Sequence, residues 1–179
     1  SKKQLNRFVK QFNGVNTGEL LGKKWQANRF RSPYLRDALW QQGYVVDTFE
    51  TATDWGNVDN LMAKVETAIR DGLKDEGEKV HVFTHLSHVY SQGCSLYTTY
   101  LYRNADSYQA TLARWQKLKH QASDIIVNNG GTISHQHGVG KDHAPYLAVE
   151  KGELGMKVLE NIAAHFDANQ QLNPGTLIE

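Results

Sequence analysis

Between Gly130 and Leu147 the chain reads GGTISHQHGVGKDHAPYL, with His135 and His137 two positions apart and glycines on either side. Imidazole titrates near neutrality and also binds metals. If this run is a strand, both rings point to one face, about 6.5–7 Å apart at Cα. Gly138 and Gly140 remove side-chain bulk from the following turn, so that a ligand can approach the backbone. Three roles stand open on the residues alone. The pair could ligate a metal with help from Asp142 and His143, since zinc takes three or four N, S or O ligands. It could be structural, satisfied by backbone carbonyls. Or it could move protons inside a glycine-lined pocket.

A second group, His81, His85 and His88, carries less promise. On a regular strand His81 and His85 share a face but stand ~13 Å apart, too far to hold one ion, and His88 faces the other way. Hairpin packing is the expected role. On the next strand Tyr97 and Thr99 share one face while Tyr100 and Tyr102 share the other. A buried tyrosine ordinarily packs its ring and satisfies its hydroxyl, yet Tyr97 falls where a pocket on the sheet face would lie. Arg36 is either a surface ion-pair partner or, beside a pocket, a forked clamp for phosphate or carboxylate.

The elements that must position these groups follow from periodicity. The first ~25 residues are polar, with NGVNTGELLGKK reading as loop. A short helix follows in SPYLRDALWQQG, with Pro33 in its first turn and Gly43 at its exit. Tyr44 to Thr53 is rich in β-branched and aromatic residues and predicts a strand. Val58, Leu61, Met62, Val65 and Ile69 recur at helical spacing up to Gly72. Lys79–Tyr90 and Cys94–Arg103 predict a hairpin, and Tyr108 to Ile125 a second long helix capped by Asp106 and stopped at Asn129-Gly130. GTISHQH supplies a fourth strand. The order β-α-β-β-α-β predicts an α+β, ferredoxin-like sheet with helices on one face. A third helix from about Lys151 to Phe166 and an extended tail holding Pro174 and Gly175 complete the chain. The expected division is 1–42, a connecting segment with the short helix; 43–140, the ferredoxin-like domain; and 141–179, the C-terminal helix and tail.

The chain has 179 residues, 40% hydrophobic and 22% charged, which is enough for a core and excludes disorder. No run approaches the ~20 apolar residues that span a bilayer. A net charge of +1, spread along the chain, leaves no nucleic-acid footprint. One cysteine, Cys94, fits a reducing, cytoplasmic setting.

PYLRD, FETATDW, SHVYSQGCSLY, GGTISHQHGVGK and FDANQQLNPG occur in an order and spacing that resembles FAD-linked oxidases of the vanillyl-alcohol oxidase type. Within them the chain is similar to alkyldihydroxyacetonephosphate synthases and their bacterial relatives, from about Gly22 onward. The resemblance implies a C-terminal substrate (cap) domain whose partner is an upstream FAD-binding domain of the same parent chain. The cofactor is then FAD and no metal is expected. A small phosphorylated or carboxylated substrate is implied, and a homodimer is compatible with it.

Matched residue by residue, Tyr97 ends the Y-x-x-G-x-x-x-Y motif that starts at Tyr90 and corresponds to the family's proton-transfer tyrosine. Arg36 in YLRD corresponds to the substrate-binding arginine. His135 and His137 keep the first and last of three consecutive histidines before GVGK, while Gln136 replaces the middle one. Gln136 and Asn173, the latter in the tail motif, would lie toward the flavin. The implied chemistry is exchange of an acyl for an alkyl group on dihydroxyacetone phosphate through a flavin adduct. The alternatives are an FAD-dependent dehydrogenase or oxidase of a small hydroxy acid or phosphorylated alcohol, and a ferredoxin-like binding module standing alone. As a fragment, the chain is expected to be colourless and inactive, with His135 and His137 open to solvent.

Overall fold

The computed structural model describes residues 1–31 and 33–178 and divides into two compact units, Ser1–Gln42 and Gly43–Glu179. The first unit is helical: α1 (Lys2–Gln11), α2 (Leu20–Asn28) and α3 (Pro33–Gln41). The loop expected in NGVNTGELLGKK holds over residues 13–19 and gives way to α2 from Leu20, while the polar residues before it form α1. Ser1 and Gln4 form a reciprocal capping box that satisfies the first free N–H groups of α1, and Leu5, Phe8, Val9 and Phe12 recur on one helical face. Apolar residues at helical spacing outweighed the polar average of the segment.

The second unit runs β1 (Tyr44–Asp54), α4 (Val58–Asp71), β2 (His81–Val89), β3 (Gly93–Arg103), α5 (Tyr108–Asn128) and α6 (Ala144–Phe166). The sheet is antiparallel, three-stranded and ordered β1-β3-β2. One face carries Phe49, Val82, Cys94, Leu96, Tyr100 and Tyr102 against Leu61, Val65 and Ile69 of α4 and Leu118, Ala122 and Ile126 of α5. Each such side chain contributes roughly 1.5–3 kcal/mol on burial, and this single core holds the sheet against its helices.

The α+β class stands, but the predicted fourth strand does not form. Residues 130–135 run antiparallel along the free edge of β1, where a fourth ferredoxin strand would pair. Spaced bonds join them: Thr132 N–H to the Ala52 carbonyl at 3.0 Å, His135 N–H to the Glu50 carbonyl at 2.9 Å, and the Thr51 and Thr53 hydroxyls to the Thr132 and Gly130 carbonyls at 2.7 and 3.3 Å. Gly130 at φ 72° and Gln136 at φ 61° bracket the segment with left-handed turns, which breaks the regular pleat. The cap of α5 is Ser107, whose hydroxyl accepts from the Ala110 N–H, rather than Asp106. The last helix starts earlier than expected, at Ala144, and kinks at Gly152 (φ 68°).

The tail is turned rather than extended. Gln170, Asn173, Gly175 and Leu177 all have positive φ, the Asp167 carboxylate accepts from the Gln171 and Leu172 N–H groups, and the Leu177 N–H reaches the Gly140 carbonyl at 3.4 Å. Among the described residues no helix is long and apolar enough to cross a membrane.

Candidate active site

The sheet face turned away from the helices carries Glu50, Ser95, Tyr97 and His85. Register places Glu50 opposite Tyr97, and Tyr97 opposite His85. Glu50 is the centre of the arrangement. A carboxylate in the middle of a strand is expected to face water, yet this one is only 4% exposed because residues 130–137 fold back across it. Its Oε1 accepts from the Ser95 hydroxyl at 2.7 Å and lies 3.2 Å from His88 Nδ1 and 3.3 Å from His135 Nδ1. Its Oε2 lies 3.5 Å from His137 Nε2. Burial pushes the Glu50 carboxyl upward, but the Ser95 hydroxyl and the His88 and His135 imidazoles outweigh it and hold it below the usual glutamate range.

His135 and His137 therefore converge, though not by strand alternation. The left-handed Gln136 between them turns the backbone so that both rings address one carboxylate, while the Gln136 side chain stays in solvent. Tyr97 joins them: its ring meets His137 edge-on at 5.5 Å between centroids and stacks on His85 at 5.2 Å. The Tyr97 hydroxyl donates to Thr48 Oγ1 at 3.3 Å. Solvent access is uneven. The His137 side chain keeps 32% of its surface and that of His135 only 16%, so the expectation of two open rings holds for one of them.

His88 was expected on the opposite face and belongs to this one. Between Leu86, opposite Leu96, and Val89, opposite Cys94, the register slips, so Ser87 and His88 together oppose Ser95. That β-bulge adds one residue and reverses the alternation. The His88 N–H then donates to Ser95 Oγ at 2.9 Å, and its ring reaches Glu50. Tyr90, just past β2, places its hydroxyl 3.0 Å from His135 Nε2. Glu50, His88 and Tyr90 were thus missed as site residues. For Glu50 a signal existed, an acid set between Phe49 and Thr51 at the middle of a strand.

A cavity opens beside His137, bounded by Asp47, Thr48, Lys119, Gly138 and His143. Lys119 pairs with Asp47 at 3.1 Å and donates to the Thr48 carbonyl at 2.9 Å. Burial raises the Asp47 carboxyl, but the Lys119 charge and the Trp115 indole N–H bring it below its ordinary value. Burial pushes His143 the other way, downward, with its Nδ1 3.3 Å from the Gly138 carbonyl oxygen. Among the described residues, neither Asp142 nor His143 shares a metal-sized cluster of donor atoms with the histidine pair. Donor atoms of Glu50, His88 and His135 do lie within 4.8 Å of one another, a spacing that suits a divalent cation as well as a charge network.

Two sequence candidates remain. Asn173 sits in the tail at φ 49° and lines a cavity with Ile162, Phe166, Leu172 and Pro174. Arg36 is exposed on α3, in the first unit.

Comparison with known proteins gives the chain a family. The family model described as FAD linked oxidases, C-terminal domain, matches residues 4–177. Alkyldihydroxyacetonephosphate synthase of Dictyostelium discoideum is 29% identical over 161 residues, covering 90% of this chain and 26% of that protein. The Caenorhabditis elegans synthase is 29% identical over 180 residues, covering 99% of this chain and 30% of its own. A solved structure of an alkyldihydroxyacetonephosphate synthase superposes with a TM-score of 0.56 at 25% identity, over 77% of this chain and 23% of that one. The chain thus spans about a quarter of the length of the curated relatives it matches.

Proposed function

This chain belongs to the family of FAD-linked oxidase C-terminal domains, and from that premise we propose that it forms the substrate side of an FAD enzyme that exchanges the acyl group of an acylated dihydroxyacetone phosphate for a long-chain alkyl group. The observation that carries the reading is the convergence of Tyr97, His135 and His137 around one buried carboxylate on the sheet face that the core helices leave open. The surroundings fit a flat, bulky cofactor. Gly138 and Gly140 take positive φ, and a β-carbon at either would meet nothing within 4 Å, so backbone and open space stand next to the imidazoles.

When bound, FAD supplies the electron-rich or electron-poor ring at which the substrate carbon reacts. The chain's own residues handle protons and charge. Tyr97 moves the proton of the substrate carbon, with its ring held between His85 and His137. His137 is the more accessible imidazole and exchanges a proton with the leaving or entering oxygen. His135, fixed between Glu50 and Tyr90, supports the oxyanion. Arg36 holds the phosphate through its forked donors, and Gln136 and Asn173 contact the cofactor.

The rival chemistry, dehydrogenation of a small hydroxy acid or phosphorylated alcohol with His137 taking the hydroxyl proton, is favoured by one observation: Gln136 stands where the synthase pattern has a histidine. Two assays of the enzyme that carries this domain separate the readings. Incorporation of a labelled long-chain alcohol into acylated dihydroxyacetone phosphate supports the exchange. Dye reduction by a hydroxy acid with no alcohol incorporation replaces it with the dehydrogenase.

A further inference from the structure

We propose that Tyr90 is a second proton-handling phenol of this site, driven by Glu50 through His135; the proposal rests on this face being the active site, as argued above. Tyr90 Oη and His135 Nε2 are 3.0 Å apart. On the other side of the ring, Nδ1 is buried, finds no aligned hydrogen bond among the described residues, and lies 3.3 Å from Glu50 Oε1. A buried imidazole nitrogen left unsatisfied is costly, so a small rotation of the ring toward the carboxylate is favourable.

The direction of proton flow follows from the partners. An ionised carboxylate only accepts, so the single N–H of a neutral His135 sits on Nδ1, and Nε2 presents its lone pair. Tyr90 must then be the donor. Its hydroxyl proton passes to Nε2 as the phenol oxygen takes a proton from the substrate: the phenol O–H and the substrate's own bond to hydrogen break, one N–H and one new O–H form, the freed electron pair stays on the substrate, and no oxidation state changes. The imidazolium that results lies against the Glu50 carboxylate, which the Ser95 hydroxyl and His88 hold in place at 2.7 and 3.2 Å.

The two ends of the relay suit their tasks. Glu50 is 4% exposed and Tyr90 46% exposed, so the fixed charge is buried and the phenol residue reaches the surface. The Tyr90 backbone is pinned: its N–H donates to the Gly93 carbonyl at 2.8 Å, and its carbonyl accepts the Trp55 indole N–H at 3.1 Å. Tyr97 differs, since its hydroxyl donates to Thr48 and meets His137 ring-on-edge. Glu50 and His135 are positioning residues in this scheme, and Tyr90 touches the substrate.

The relay can be read in this 179-residue chain without substrate or cofactor. Ring 15N spectra should show His135 protonated on Nδ1, and Tyr90→Phe should move the Nε2 resonance alone. Tetranitromethane, which attacks phenolate, should nitrate Tyr90 about tenfold faster in the wild type than in Glu50→Gln, with Glu50→Asp in between. An Nε2-protonated His135, or equal nitration in folded wild type and Glu50→Gln, overturns the relay. So does stoichiometric Zn2+ binding that Glu50→Gln abolishes, because Nδ1 would then be a metal ligand. In the enzyme carrying the domain, Tyr90→Phe should lower kcat tenfold to hundredfold at constant KM, and an unchanged kcat removes the catalytic role. If the spectra and nitration hold but no alkyl exchange occurs, the relay stands and the proposed substrate falls.

Discussion

The two faces of the one sheet are built by opposite rules. Toward α4 and α5, side chains from β1, β2 and β3 make an apolar layer in which Cys94, Leu96, Tyr100 and Tyr102 are each no more than 1% exposed. Toward the other side, the same strands offer Glu50, Ser95, Tyr97 and His85, covered in part by an irregular segment instead of a helix. The first face gains from contact of any well-shaped apolar group. The second depends on particular atoms at hydrogen-bonding distance, and a shift of one ångström would undo it. Stability and chemistry are thus separated by the thickness of one strand.

Changes on either face test that separation. Leu61→Ala, at a fully buried position of α4, should cost about 3 kcal/mol of folding stability. Urea denaturation would measure this, and the His135 and His137 ring resonances should keep their wild-type shifts while the protein stays folded. If those shifts move, the faces are coupled after all. Tyr97→Phe should do the reverse: a loss of about a hundredfold in turnover of the parent enzyme, with an unfolding midpoint close to wild type.

Glu50→Gln lies between these cases, since the carboxylate serves both structure and site. Its loss should cost about 2 kcal/mol near neutral pH. The Glu50 carboxyl is held below its ordinary value of 4.5 in the folded chain, so its contribution is complete above that value and is lost as pH falls through the lower, folded one. Wild type and Glu50→Gln should therefore converge in stability toward acid, and a gap that stays constant into acid would exclude a role for the charge. The smallest effect is expected on the core face. The Tyr102 hydroxyl is buried there without a hydrogen-bond partner among the described residues, and burial pushes the group's titration well up. Tyr102→Phe should leave stability unchanged or raise it by up to about 1 kcal/mol in thermal or chemical melts.

The core face was legible in the sequence because it rests on period. Val58, Leu61, Val65 and Ile69 mark α4, and Tyr100 and Tyr102 share the buried side of β3, as alternation requires. What escaped rests on local exceptions to period. His88 changed faces through a bulge that no spacing rule displays. The edge segment failed to become a strand because Gly130 and Gln136 adopt left-handed conformations. Glu50 becomes a site residue only because residues distant in sequence close over it, leaving it 4% exposed. His135 and His137 stood out by spacing and Tyr97 by its place on a strand, and a motif resemblance linked the three; the residues that join them, Glu50 and Tyr90, emerge only when β1, the hairpin and the 130–137 segment are seen side by side. At the N-terminus the signal was present in Leu5, Phe8, Val9 and Phe12 and was outweighed by composition.

The extra residue at Ser87–His88 makes the site sensitive to changes of length as well as of identity. Removing one residue there would let β2 and β3 pair without interruption, so the hairpin would still form and the apolar layer would still close. The imidazole, however, would swing to the far side of the strand or vanish, and the carboxylate would lose one of its neighbours. Among descendants of such a chain, a single-codon gap at this point would be tolerated by folding yet silence one arm of the chemistry. Gain of the same codon would be an equally short route by which a plain hairpin acquires a reactive edge.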